Sequence, residues 1–175
     1  HRDLRRQRQM CIRDRFGQCA DMEKIMEIAN KHDLYVIEDT AQAIGADYTF
    51  SDGTVKKAGT IGTIGCTSFF PSKNLGCYGD GGAIFCNDED LATKIRQTAN
   101  HGQSRQYVHD QVGVNSRLDS IQAAILRIKL RYLDQYNQAR KDAADYYNEQ
   151  LACEELIVPM TAANSTHVFH QYTMR

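Results

Sequence analysis

Residues 21–39 read DMEKIMEIANKHDLYVIED, a helix, a tight connection and a strand in nineteen positions. Met22, Ile25, Met26 and Ile28 fall on one face of a helix over Asp21–Lys31, and Asp21 is a suitable N-cap. Leu34 to Ile37 is a short apolar run of strand formers that stops abruptly at Glu38-Asp39. A fully apolar strand reached from a helix by a short turn belongs to a parallel sheet with helices on its faces. Ligands of such sheets collect at the carboxyl ends of the strands, the position that Asp39 occupies.

Outward from this unit the pattern continues. Residues 45–60 are polar, hold Gly53 and Gly59, and read as a turn or irregular excursion. Thr63 to Phe70 (TIGCTSFF) reads as a second buried strand. Pro71 to Gly82 (PSKNLGCYGDGG) carries four glycines and is read as loop. Ala83 to Cys86 is strand-like and Asp88 to Ala99 helix-like. Residues 116–151 hold no Gly or Pro, and apolar side chains recur at 118, 121, 125, 128, 132, 136, 139, 143 and 146. Steps of three and four predict one helix of about 50 Å bridging two lobes. Leu156 to Pro159 and Val168 to Met174 are read as strands of a second lobe, cut off at Arg175.

Composition bounds the function. The chain has 175 residues, 42% hydrophobic and 25% charged, with 2 prolines, which excludes collagen-like, mucin-like and bulk-disordered classes. The net charge of −1 supplies no strong field for nucleic acid. No apolar run reaches the roughly 18 residues a membrane span needs. Six cysteines, at 11, 19, 66, 77, 86 and 153, form no CxxC pair and no zinc spacing, so no metal site is expected and the thiols read as reduced, as in the cytoplasm. Residues 1–15 (HRDLRRQRQMCIRDR) hold six Arg and two Asp, a net of +4 against −5 for the rest. This basic head reads as foreign to the remainder of the chain, non-native or disordered. A solvated native arm and a nucleic-acid-binding arm are the other readings.

Chemistry concentrates at two places. Lys73 lies between an apolar strand and a glycine loop, an environment in which burial disfavours an ammonium and leaves an amine able to attack a carbonyl. An exposed loop lysine is the simpler alternative. A phosphate-cradling P-loop is excluded because Lys73 precedes the glycines rather than following them. Asp39, at a strand end, can accept a hydrogen bond from a protonated ring nitrogen, the partner that pyridoxal phosphate (PLP) requires as an electron sink.

Three segments carry a resemblance: VIEDTAQAIGA (36–46), SFFPSKNLGCYGDGGAIF (68–85) and GVNSRLDSIQAAIL (113–126). In these motifs, and nearly continuously from Phe16 to Arg175, the chain resembles the DegT-type PLP-dependent sugar aminotransferases, a branch of the fold-type I aminotransferases. The resemblance implies an α/β fold with a mainly parallel sheet and helices on both faces. It implies a partial PLP-binding large domain over 16–115, a bridging helix over 116–151, and the start of a small domain over 152–175, that is, an internal fragment. It further implies Lys73 as the Schiff-base lysine and proton carrier, Asp39 as the partner of the pyridinium, Gln42 near the cofactor ring, and Ser68 on the phosphate. Asn115 would reach the cofactor phosphate of a second subunit. His101, Tyr107 and His109, in a polar loop before Asn115, are candidate substrate contacts or surface residues. The activity implied is transamination of a keto group on a nucleotide-linked sugar, with an amino-acid donor such as glutamate, in a cytoplasmic homodimer that binds neither nucleic acid nor membrane. The alternatives are a non-catalytic regulatory protein on the same fold and an inactive fragment; the family's dehydratases lack the lysine.

Overall fold

The computed structural model describes residues 9–175. Strand β1 (Gln9–Arg13) leads to helix α1 (Met22–His32) and strand β2 (Tyr35–Asp39). A small hairpin of β3 (Asp47–Thr49) and β4 (Val55–Lys57) precedes β5 (Ile64–Ser68) and β6 (Gly82–Phe85). Helix α2 (Glu89–Ala99), the short ribbon of β7 (Gln103–Arg105) and β8 (Val108–His109), and helices α3 (Ser120–Lys129) and α4 (Leu133–Gln150) complete the chain. The main sheet has the order β1-β2-β5-β6, the first three strands parallel and β6 antiparallel to β5.

The register sorts side chains onto two faces. Met10 and Ile12 lie beside Val36 and Glu38, and this face carries the larger core, with Met22 and Ala29 of α1, Tyr48 and Ile61. Cys11, Arg13, Ile37, Asp39, Cys66 and Ser68 alternate onto the opposite face. A second core of Phe69, Leu75, Cys77, Leu126 and Leu133 fastens the loop after β5 to α3 and α4. Glu38 is fully buried, and its carboxylate accepts the backbone N–H groups of Gly59 at 2.6 Å and of Ile61 and Gly62, both at 3.2 Å. That clamp seats the turn before β5 on the sheet. Gly65 is required beneath it, because a Cβ there would meet the Gly59 carbonyl oxygen.

Several expectations are corrected. The head is not wholly apart from the domain. Residues 1–8 lie outside the described residues, but Gln9–Arg13 adds a parallel edge strand to β2. Strand pairing uses backbone groups, and the single alternation Met10, Ile12 suffices to face the core. The polar excursion over 45–60 contains a hairpin, with β3 and β4 in register from Asp47–Lys57 to Thr49–Val55. The long helix starts at Ser120 rather than 116, capped by Asp119, whose side chain accepts from the Ile121 N–H at 2.8 Å. It is interrupted by one 3₁₀ turn over Leu130–Tyr132. The segment 152–175 forms neither predicted strand. It lies along the domain, where Val168 donates its N–H to Gly17 at 2.7 Å and Thr166 donates to Asp47 at 2.9 Å. Among the described residues no helix is long and apolar enough to cross a membrane.

Candidate active site

The site is built at the carboxyl ends of β2 and β5. Asp39 closes β2, and its Oδ1 accepts the Ala41 N–H at 3.0 Å, starting the turn that carries Gln42. Arg13 Nε stands 3.7 Å from Asp39 Oδ2, a long and half-exposed pair that contributes little to stability. Gln42 turns its Oε1 to the Phe16 N–H at 2.8 Å, which leaves its amide nitrogen as the group open to a ligand. Ser68 ends β5, half-buried, with Oγ accepting the Phe70 N–H at 3.2 Å. Asp39 and Ser68 therefore share a face and an end of the sheet.

Lys73 rides on the loop between β5 and β6. Its N–H donates to the Phe70 carbonyl at 2.9 Å, and the side chain is half-buried. The loop is wound tightly enough that a Cβ at Gly76 would stand 2.5 Å from the Pro71 carbonyl oxygen and 2.8 Å from that of Phe70. Its far side is held by Asn74, which is buried and donates to Asn137 Oδ1 on α4 at 2.7 Å and to the Val168 carbonyl at 2.9 Å. The loop after β5 is thus a fixed platform, and glycine backbone is what lets it pack so closely.

The remaining candidates follow α2 in the chain, and the cavity that Asn115 borders is also lined by Thr67 and Gly82, the neighbours of Ser68. Asn115 is exposed, accepts from Arg117 Nε at 3.1 Å, and borders a cavity of about 1070 Å³ with Asp80, Arg96 and Arg117. Neither Asp39, Ser68 nor Lys73 lines that cavity. His101, Tyr107 and His109 sit around the β7–β8 ribbon, with a 2.8 Å hydrogen bond between His109 Nδ1 and the His101 carbonyl. Tyr107 is 82% exposed.

Two ionisable groups near the site escaped the sequence reading. Asp14, one residue past β1, is fully buried. Its Oδ1 accepts the Ala20 N–H at 2.8 Å while Oδ2 has no partner. Burial, with the neighbouring Glu38 and Asp39 charges, pushes its carboxyl up to about 7. Arg140 on α4 donates to the His170 carbonyl at 3.4 Å, and burial, with the charges of Lys73 and Arg140, depresses the basicity of the His170 ring. Neither has a local signal: one lay in the arginine-rich head, the other near the end of the chain, and only the tertiary fold buries them, Asp14 beside Asp39, whose carbonyl accepts the Asp14 N–H at 3.0 Å.

The DegT/DnrJ/EryC1/StrS aminotransferase family model matches residues 5–175. The chain belongs to this family. A UDP-2-acetamido-2-deoxy-3-oxo-D-glucuronate aminotransferase of Pseudomonas aeruginosa is 50% identical over 160 residues, covering 91% of this chain and 43% of the relative. A pleiotropic regulatory protein of Geobacillus stearothermophilus is 49% identical over 163 residues, covering 91% of this chain and 42% of the relative. The crystal structure of S. venezuelae DesV in complex with a ketimine intermediate superposes with a TM-score of 0.89 at 40% identity, covering 96% of this chain and 44% of that one. The chain spans less than half the length of these relatives. DegT-family aminotransferases use PLP. The residues present fit that group: a carboxylate for a ring N–H, a hydroxyl and an amide for phosphate and ring oxygens, and an amine for an aldehyde.

Proposed function

We propose that this chain is the cofactor-holding part of a PLP-dependent aminotransferase acting on a keto group of a nucleotide-linked sugar. The observation that carries the reading is Asp39 and Ser68 on one face at the carboxyl ends of β2 and β5, with Lys73 on the rigid loop after β5. The bound cofactor supplies an electron sink that carries the amino group and stabilises negative charge on the donor's α-carbon. Lys73 holds the cofactor aldehyde through its ε-amine and, once released, moves a proton at the reacting carbon. Asp39 accepts the ring N–H and keeps the ring cationic. Ser68 donates to the phosphate, and the Gln42 amide nitrogen faces the ring.

Asn115 serves the phosphate site of a second copy. Exposed apolar side chains on the neighbouring chain segment and on α3 support a homodimer: Val112 is 95%, Ile121 69% and Ile128 60% exposed. His101, Tyr107 and His109 line the substrate side of that shared site. The sugar class comes from the named relatives, glutamate is the proposed donor, and the cytoplasm, with its supply of activated sugars for polysaccharide assembly, the proposed location. A regulatory reading has the Geobacillus relative in its favour.

The test is to incubate the chain with PLP, reduce with borohydride and map the product by mass spectrometry. One pyridoxyl adduct at Lys73, lost in Lys73→Ala, is the expected result. Scattered labelling of surface lysines, or none, would sink the assignment for this chain. Retention of the biological role in Lys73→Ala would favour the regulatory reading.

A further inference from the structure

Helix α4 buries Leu133, Asn137 and Ala144, whose spacing places them on one face. Leu133 and Ala144 are apolar, whereas Asn137 sets a carboxamide in the middle of that buried face. A buried amide is costly unless its polar atoms are bonded, and here both are. Asn137 Oδ1 accepts from Asn74 Nδ2 at 2.7 Å, and Asn137 Nδ2 donates to the Ile44 carbonyl at 3.2 Å. A donor on one side and an acceptor on the other fix which way the amide faces.

The two partners belong to the two halves of the site. Asn74 directly follows Lys73 on the loop after β5. Ile44 lies two residues beyond Gln42, in the turn that Asp39 starts by accepting the Ala41 N–H and that the Ala43 N–H continues by donating to the Thr40 carbonyl at 3.0 Å. Strand register holds Asp39 and Ser68 at one end of the sheet, but Lys73 lies five residues past the end of β5. Gly45 makes room for the bridge: its φ is 88°, and a Cβ there would stand 2.6 Å from Asn137 Nδ2. Leu133, one helical turn before Asn137, belongs to the same core as Leu75 of the loop and Ile44 of the turn. The two hydrogen bonds therefore run beside apolar packing, where they are stronger than in water.

We propose that Asn137 is a positioning residue of the site: its one carboxamide ties the Asp39–Gln42 turn, which holds the cofactor ring, to the loop whose Lys73 bonds the cofactor. This role rests on the cofactor reading above and lies in alignment rather than affinity. Holding two reacting groups in a fixed relation lowers the barrier to the bond between them and leaves the binding of either one largely unchanged.

Two measurements decide it. The first needs no cofactor and follows backbone amide exchange in the full chain by NMR. Asn137→Ala is expected to speed exchange severalfold at Lys73, whose N–H donates to the Phe70 carbonyl, and also at Ala43, whose N–H donates to the Thr40 carbonyl. Asn74→Ala is expected to speed exchange at Lys73 and leave Ala43 unchanged. A response to Asn137→Ala confined to one of the two segments overturns the bridge. The second is the rate of PLP adduct formation at Lys73, timed by borohydride quench over a range of PLP concentrations. In Asn137→Ala the limiting rate is expected to fall about fivefold or more while the half-saturating concentration moves by less than about twofold. Asn137→Asp keeps the acceptor for Asn74, loses the donor to Ile44, and is expected to share that loss. A wild-type limiting rate in either variant overturns the proposal. If Asn137→Ala does not fold, Asn137→Asp carries both tests, with exchange speeded at Ala43 and not at Lys73, and an unchanged Ala43 overturns the bridge. If the wild-type chain forms no adduct at all, the cofactor reading fails and amide exchange alone judges the bridge.

Discussion

Asp14→Asn tests the electrostatics at the end of β1. The wild-type carboxyl is wholly buried, uses one oxygen on the Ala20 N–H and leaves the other unpartnered. Its pKa of about 7 in the folded chain stands above the ordinary 3.8. A carboxyl raised in the folded state contributes stability at low pH, where it is protonated in both states. That contribution is lost as pH rises from 3.8 through about 7, because the unfolded chain ionises freely and the folded one does not. The full loss corresponds to roughly 4 kcal/mol. Asparagine keeps the acceptor for Ala20 and cannot ionise. Its amide nitrogen in place of Oδ2 costs about 1–2 kcal/mol if it finds no acceptor, an offset independent of pH.

The assay is urea unfolding of the full chain, monitored by circular dichroism at pH 5, 6.5 and 8. The quantity of interest is the difference between variant and wild type, since the buried His167 titrates with the opposite sense over the same range and flattens the wild-type curve. The difference is expected to move toward the variant by about 2–4 kcal/mol between pH 5 and pH 8. A difference that stays constant with pH would show that Asp14 is not a buried, raised carboxyl and would refute the reasoning.

His167 is the mirror case: it is buried, its Nδ1 accepts the Phe169 N–H at 2.9 Å, and burial lowers it from 6.5 to about 4. Its contribution is complete above pH 6.5 and is lost as pH falls toward 4, about 3 kcal/mol in all, so His167→Gln should flatten the acid limb of the Asp14→Asn curve. Glu38→Gln breaks part of a three-donor clamp and places an amide N–H₂ among N–H donors. A loss of about 3 kcal/mol is expected by urea unfolding at pH 7, with faster amide exchange at Gly59–Gly62. Gly76→Ala drives a Cβ into the Phe70 and Pro71 carbonyls and displaces the Lys73 platform. PLP adduct yield at Lys73 should fall severalfold while the far-UV spectrum is kept.

Local sequence was enough for the elements whose signals are local. Helix α1 and strand β2 could be read from apolar spacing, and 88–99 reads as helix-like, where α2 forms with Asp88 accepting from the Leu91 N–H. The strand-end Asp39 and the glycine loop around Lys73 were legible for the same reason: strand termination and backbone freedom are written in neighbouring residues. What required the folded chain involves partners far apart in sequence. Asp21 reads as an N-cap, yet its side chain makes no cap bond. It accepts instead from Tyr48 Oη at 2.9 Å and pairs with Lys24. The residues of β1 read as part of a non-native or disordered basic head until the backbone of β2 pairs with them. The tighter turn between α3 and α4 has no Gly or Pro to announce it. The segment Val168–His170 is fixed by Gly17, Asn74 and Arg140, residues that the fold gathers from across the chain. Apolar periodicity and chain stiffness act over a few residues and are therefore readable from sequence. Desolvation, charge proximity and an unpartnered carboxylate oxygen are properties of the assembled interior, and only the tertiary structure decided them.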